Sequence, residues 1–198
     1  MKYYSTLLAI LFAFTSLNAQ NGEYLSDADF KVSAFAGPLI EFSALSNELA
    51  VSSGVSGAVL FNQAWFLGGY SLSSASNIST FDELIPDNLV NVSFDHKGFW
   101  TGYFFQPKRL VHISIGAKAG WGNVILNEGM SNEDKDNLFA ITPQLAANLN
   151  IARWFRVGFG AGYRMATGVE NQYYTNEDFT SPVGTLTFKF GWFGQEVY

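Results

Sequence analysis

Three consecutive stretches near the C-terminus alternate large apolar and small or polar residues with period two, and this restricts the possible folds more than any other feature. In FAITPQLAANLNI, Phe139, Ile141, Pro143, Leu145, Ala147, Leu149 and Ile151 share one face, and Ala140, Thr142, Gln144, Ala146, Asn148 and Asn150 share the other. Further on, Phe155, Val157, Phe159, Ala161, Tyr163 and Met165 alternate with Arg156, Gly158, Gly160, Gly162, Arg164 and Ala166. In the last stretch Leu186, Phe188, Phe190 and Trp192 alternate with Thr185, Thr187, Lys189 and Gly191. Successive side chains of a strand point to opposite sides, so the pattern predicts strands between two different environments. A soluble barrel would turn its apolar face inward and its charges outward. Here the charges share a face with the glycines, which suits a narrow, crowded lumen, and the aromatic face suits lipid.

Composition supports the same choice. The chain is 48% hydrophobic and 17% aromatic, with 19 glycines and no cysteine. Beyond the N-terminus no run approaches the ~20 apolar residues of a membrane helix. Working back from the three clear strands, others are predicted at Lys31 to Leu45, Val51 to Phe61, Ala64 to Ser73, Val92 to Phe105 and Leu110 to Val124. The expected fold is therefore all-β, an antiparallel, up-and-down, eight-stranded transmembrane β-barrel. Tight connections fall at Asn62-Gln63, Gln106 to Arg109 and Ala152 to Trp154. They alternate with longer ones at Ser46 to Ala50, Ser74 to Asn91, Ile125 to Leu138 and Thr167 to Pro182. Pro143, which lacks a ladder donor, predicts a bulge or a strand that starts after it.

Met1 to Ala19 have Lys2, an apolar stretch from Leu7 to Leu17, and Ala19 before Gln20. This is the order of a cleavable secretory signal peptide, leaving residues 20–198 as a single outer-membrane barrel domain. Without cysteine there is no lipid anchor at the cleavage site, no disulfide framework and no thiolate chemistry.

Charge is distributed by end. Lys31, Lys108, Arg109, Arg153 and Arg156 lie at or beside the short-turn end. The long connections hold Glu48, Asp82, Glu83, Asp87, Glu128, Glu133, Asp134, Asp136, Glu170, Glu177 and Asp178. The expected placement is integral in the outer membrane, with the long loops extracellular and both termini periplasmic. Acidic loops would recruit divalent cations that bridge to lipopolysaccharide headgroups, since hard cations prefer carboxylate oxygen. The expected partners are thus outer-membrane lipid, lipopolysaccharide and a larger outer-membrane protein complex. The net charge of −6 and the lack of a basic patch argue against nucleic acid. Asn132 to Asn137 (NEDKDN) lacks the turn glycine and distal glutamate of a calcium loop and reads as a solvated charge cluster in a loop.

No catalytic, cofactor or metal set emerges from the sequence. No nucleophile elbow, phosphate loop, dinucleotide glycine pattern or metal-spaced histidine cluster is present. His96 and His112 are the only histidines. His112 points inward two residues before Ser114, and such neighbours stand about 6 to 7 Å apart along a strand, too far for direct proton transfer. The inward-facing polar residues, Glu41, His112, Ser114, Lys118, Gln144, Asn148, Arg156, Arg164 and Lys189, form a candidate lumen network. Glu41 is its one clear carboxylate, with Arg164 the expected partner and Lys118 the alternative.

Four segments carry a resemblance: GPLIEFSAL (Gly37 to Leu45), LVHISIGAKAGWG (Leu110 to Gly122), ARWFRVGFGAGYR (Ala152 to Arg164) and GTLTFKFGWF (Gly184 to Phe193). They resemble an uncharacterised small outer-membrane β-barrel family of Bacteroidota-type Gram-negative bacteria. The resemblance implies a fold and a location, without catalytic residues or cofactors. At Ala146 and Asn148 the chain departs from the acidic residues expected of relatives, so no lumen carboxylate is placed there.

Three classes of role are compatible with this reading: a structural, surface-presenting or accessory barrel, which is not an enzyme; a narrow pore for ions or small solutes; and a lipid-modifying outer-membrane enzyme. An eight-stranded barrel is just wide enough to be filled by its own side chains, which favours the first. A closed hydrogen-bonded barrel resists detergent until boiled. The protein should therefore migrate faster on a denaturing gel when unheated than after boiling, and identical migration would contradict closure.

Overall fold

The computed structural model of the 198-residue chain describes residues 31–45, 48–74, 78–80, 90–128, 132–168 and 175–193. Its strands are β1 (Val32–Leu45), β2 (Glu48–Phe61), β3 (Trp65–Ser74), β4 (Ile78–Thr80), β5 (Val90–Phe105), β6 (Val111–Glu128), β7 (Asn132–Ala152), β8 (Phe155–Thr167) and β9 (Ser181–Trp192). A single helical turn, α1 (Asn176–Phe179), precedes β9. The sheet order is β3-β2-β1-β9-β8-β7-β6-β5-β4, and a further β3–β5 pairing closes the ring. All pairings are antiparallel, and β4 extends β3's edge by pairing with the start of β5. The result is an all-antiparallel closed barrel of eight strands. The predicted signal at Met1–Ala19 and the acidic positions Asp82, Glu83, Asp87 and Glu170 lie outside the described residues.

The facing follows the sequence alternation. Leu145, Ile151, Phe159, Tyr163, Met165, Phe190 and Trp192 are exposed on the outer wall, while Ala140, Thr142, Asn148, Arg156, Arg164, Thr185, Thr187 and Lys189 are buried inside. Around the barrel the outward apolar band continues through Val55, Val59, Leu67, Phe99, Ile113 and Ile115. On β6 it runs from Val111 to Trp121, the length of about 9–11 residues that a tilted strand needs to cross a bilayer. Aromatic rings gather at its short-turn border, where Trp65 meets Tyr103 at 5.2 Å and Phe155 stacks on Phe190 at 4.7 Å. Amphipathic and aromatic rings favour such a boundary.

The tight connections form as predicted. Asn62 and Gln63 take φ of 51° and 60°, and the Ala64 amide donates to the Phe61 carbonyl at 3.1 Å, a mirror-image turn whose twist matches the flanking strands. The other end differs from expectation. Connections predicted as long narrow to residues 46–47 and 129–131, and the NEDKDN segment, expected in a loop, is strand: Asn132 to Asn137 pair with Glu128 to Asn123. Ladder bonds need only backbone groups, so strands continue where hydrophobic alternation has already ended. The β6–β7 hairpin consequently extends well past the apolar band.

Pro143 brings neither a bulge nor a strand start. It sits in mid-strand opposite Ala117, and the β7–β8 register is the same on both sides of it, with only the pairs at Thr142 and Pro143 missing. Pro38 does the same in the β1–β9 ladder, where Gly37 and Pro38 drop out between Ala36 and Leu39. Each proline lacks an N–H and interrupts one neighbouring ladder while the other stays continuous. Glycine- and serine-rich strands define register weakly, yet β2 pairs without a shift to both β1 and β3.

Phe159 is mid-strand and 58% exposed. Phe159→Arg should cost about 2 to 4 kcal/mol if this face meets the bilayer midplane. Gly160 faces inward, where an added Cβ would lie 2.3 Å from Thr185 Oγ1, so Gly160→Ala should destabilise by crowding. Unfolding in lipid vesicles tests both, and equal tolerance of Arg at the two positions would reject the facing.

Candidate functional site: the barrel lumen

The lumen has a polar upper layer on the loop side and an aromatic lower layer on the short-turn side. Alternation in β1 aims Leu39, Glu41 and Ser43 inward, and the small cross-strand partners Ser52 and Thr185 leave room around the Glu41 carboxylate. Lys118 of β6 donates to Glu41 Oε2. Arg164 Nη1 of β8 donates to Oε1 at 3.2 Å. Sequence reading offered Arg164 or, alternatively, Lys118; both reach the carboxylate, one at each oxygen. Arg164 also donates from Nε to the Phe179 carbonyl at 2.9 Å and from Nη2 to Ser181 Oγ at 3.4 Å. Glu41, Lys118 and Arg164 are all essentially inaccessible. Burial of this kind is tolerable only with full pairing, because an isolated charge at low dielectric is costly.

Phe179 in α1 is buried above this trio, so the helical turn caps the network. The Thr175 amide and hydroxyl both donate to Asp178 Oδ2, at 2.8 and 3.1 Å, and hold the turn in shape.

Two members were not legible in the sequence. His96 is buried with Nε2 3.7 Å from Glu41 Oε1. Its Nδ1 lies 3.2 Å from the Tyr70 hydroxyl, and the two rings meet edge to face at 5.2 Å. Tyr70 also places its ring 5.6 Å from Lys118 Nζ. Beneath them Phe35, Phe66, Trp100, Phe104 and Phe193 form an aromatic cluster, with Phe66 and Trp100 centroids 4.8 Å apart. The small, glycine-rich inner face read from the C-terminal strands is found on the β7–β8 wall, whereas the β3 and β5 wall is aromatic. In β3 and β5 both faces have large rings, so alternation there shows no contrast in polarity. The available signal was the interleaving of Gly68, Gly98 and Gly102 with Phe66, Tyr70, Trp100 and Phe104 on one face.

The remaining predicted residues form a second polar set. Asn148 Nδ2 donates to Ser114 Oγ at 2.9 Å, and Lys189 Nζ donates to Asn148 Oδ1 at 2.8 Å and to Thr187 Oγ1 at 3.1 Å. Arg156 is buried, with its guanidinium 3.9 Å from the Phe193 ring centroid. Gln144 faces inward half-buried, and its Oε1 accepts no hydrogen bond among the described residues. His112 Nδ1 lies 3.3 Å from the Arg109 carbonyl, so it engages the backbone and not Ser114. His112 and Ser114 are thus not paired as base and nucleophile, and no group of three or more potential metal ligands occurs among the described residues.

No protein-family model matches the chain, and no curated protein matches its sequence. Solved structures do match its fold. Neisserial surface protein A aligns over 81% of this chain and 95% of its own, with a TM-score of 0.54 and 13% identity. Ail, the attachment invasion locus protein of Yersinia pestis, crystallised with the heparin analogue sucrose octasulfate, aligns over 82% and 97%, with a TM-score of 0.51 and 13% identity. The fold is that of the eight-stranded outer-membrane β-barrels of Gram-negative bacteria.

Removing one partner of a buried ion pair costs about 3 to 5 kcal/mol. Glu41→Gln, Arg164→Met and the double mutant, unfolded in lipid, should show coupling, the double mutant losing less than the sum of the singles. Additive losses would show that the pair does not hold the lumen together.

Proposed function

We propose that this chain is an integral outer-membrane barrel with a structural or surface-presenting role and no catalysis of its own. The observation supporting this is the filled lumen: the Glu41, Lys118 and Arg164 cluster blocks the upper half and aromatic rings the lower, while the β6–β7 hairpin extends beyond the apolar band. A plugged barrel leaves its ends and outer wall for interaction. On this reading the export signal is cleaved after Ala19, the long-connection end faces the medium, and the short-turn end with Lys31, Lys108, Arg109 and Arg153 faces the periplasm, as do both termini. On the same reading the chain belongs with the Bacteroidota-type barrel family that its four motif segments resemble.

The surface chemistry favours a particular partner. Ail was crystallised with a sulfated sugar analogue. This chain has a net charge of −6 and acidic outer segments, which repel polyanions. Divalent cations bridging its carboxylates to lipopolysaccharide phosphates fit better, since calcium and magnesium take oxygen ligands of exactly this type from both sides. Docking to a larger outer-membrane complex would use the apolar wall.

Topology and conductance test the proposal. An epitope inserted beside Asn132 should be labelled on intact cells, and one beside Lys108 only after permeabilisation; the reverse pattern would overturn the orientation. In planar bilayers the purified barrel should show no stable open level, and steady single-channel conductance would overturn the plugged, non-pore reading.

A further inference from the structure

Arg156 and Lys189 are direct cross-strand partners in the β8–β9 ladder. Their Cβ atoms are therefore about 4.5–5.5 Å apart, and like charges so placed destabilise a sheet. Both side chains are buried inside the barrel. Among the described residues no carboxylate pairs with either; the three ion-pair contacts there all belong to Glu41, in the upper layer. Two adjacent buried cations without a counter-ion are a serious cost, because desolvation and mutual repulsion act together.

The surroundings are arranged as a donor site. Lys189 Nζ lies 5.8 Å from the Phe104 ring centroid, and the Arg156 guanidinium carbon 5.9 Å from the same centroid. Arg156 Nη1 has no hydrogen-bond partner among the described residues, and neither has Trp100 Nε1, which is also buried. The Trp100 ring is 5.8 Å from Lys189 Nζ. Asn148 and Thr187 take two of the three ammonium hydrogens, leaving one. Each of these unused groups is a donor, and none is an acceptor. His112 stands outside the set: with Nδ1–H directed to the Arg109 carbonyl, the neutral ring offers only a lone pair at Nε2.

Space limits the ligand. A Cβ added at Gly158 would lie 2.5 Å from Lys189 Nζ, 2.6 Å from Thr187 Oγ1 and 2.9 Å from Asn148 Oδ1, so the wall beside the ammonium is tightly filled. So tightly filled a wall disfavours a branched oxyanion and restricts any ligand there to a compact anion.

We propose that a compact anion of halide type occupies the lower lumen between Arg156 and Lys189 and neutralises their mutual repulsion. This inference is independent of the surface role. A ligand held only by the folded state raises stability by mass action. The unfolding midpoint of the detergent-folded full chain should therefore rise as chloride replaces gluconate at constant ionic strength. Loss of one charge-assisted hydrogen bond weakens binding about tenfold or more, so Arg156→Gln and Lys189→Gln should flatten the chloride response. Lys97→Gln, on the outer wall, should keep it. Bromide soaked into crystals of the unmutated protein should give an anomalous peak within hydrogen-bond distance of Arg156 Nη1 and Lys189 Nζ, which decides the matter even if a variant fails to fold. A chloride response absent from the parent protein, or equal in all variants, would overturn the site. So would bromide found only on exposed side chains, an adventitious ion only.

Discussion

Inside a hydrocarbon layer the backbone has no water to bond with, so every N–H and C=O in the membrane must find a partner within the protein. The β3–β5 pairing meets this requirement by removing both edges of the sheet. The rest of the architecture follows from that closure. Alternation along closed strands separates an apolar wall from an inner face, and the inner face of so narrow a ring must be filled. Pro38 and Pro143 show how much local loss the closed ladder tolerates: each removes pairs on one side only, with the register unbroken.

How the interior is filled gives the molecule its character. An all-apolar filling would have been simpler, and breaking a buried ion pair is far more damaging than never having one. This barrel nonetheless divides its lumen between an aromatic cluster and a charged layer centred on Glu41. The carboxylate on β1 draws in side chains from β8, two strands away around the ring, and from β6, on the opposite side, and Arg164 ties α1 down through the Phe179 carbonyl. One acidic residue thus links three barrel strands and the segment that caps them. In the lower layer Arg156 and Lys189 face each other, and among the described residues no carboxylate pairs with either.

The likeness to Neisserial surface protein A and to Ail is a likeness of frame. At 13% identity what is shared is the fold, a closed eight-stranded antiparallel barrel, and a fold alone does not carry a function. What is particular to this chain is the acidic character of its long connections and the charged plug in its lumen.

The class of fold, the facing of β7, β8 and β9, the tight turn at Asn62-Gln63 and the inward position of Glu41 were all legible in the amino-acid order. Each rests on a local signal, a period-two contrast in polarity or a turn residue, that needs no knowledge of distant neighbours. Other features required the closed barrel. The facing of His96 and Tyr70 was hidden because β3 and β5 have rings on both sides. The strand character of Asn132 to Asn137 was hidden because ladder bonds use backbone groups and leave no mark on polarity. That Lys118 and Arg164 both reach Glu41, and that Arg156 stands opposite Lys189, depends on register around the ring. A shift of one residue in any ladder would turn these side chains to the other wall, so their meeting is a property of the assembled sheet and not of any one strand.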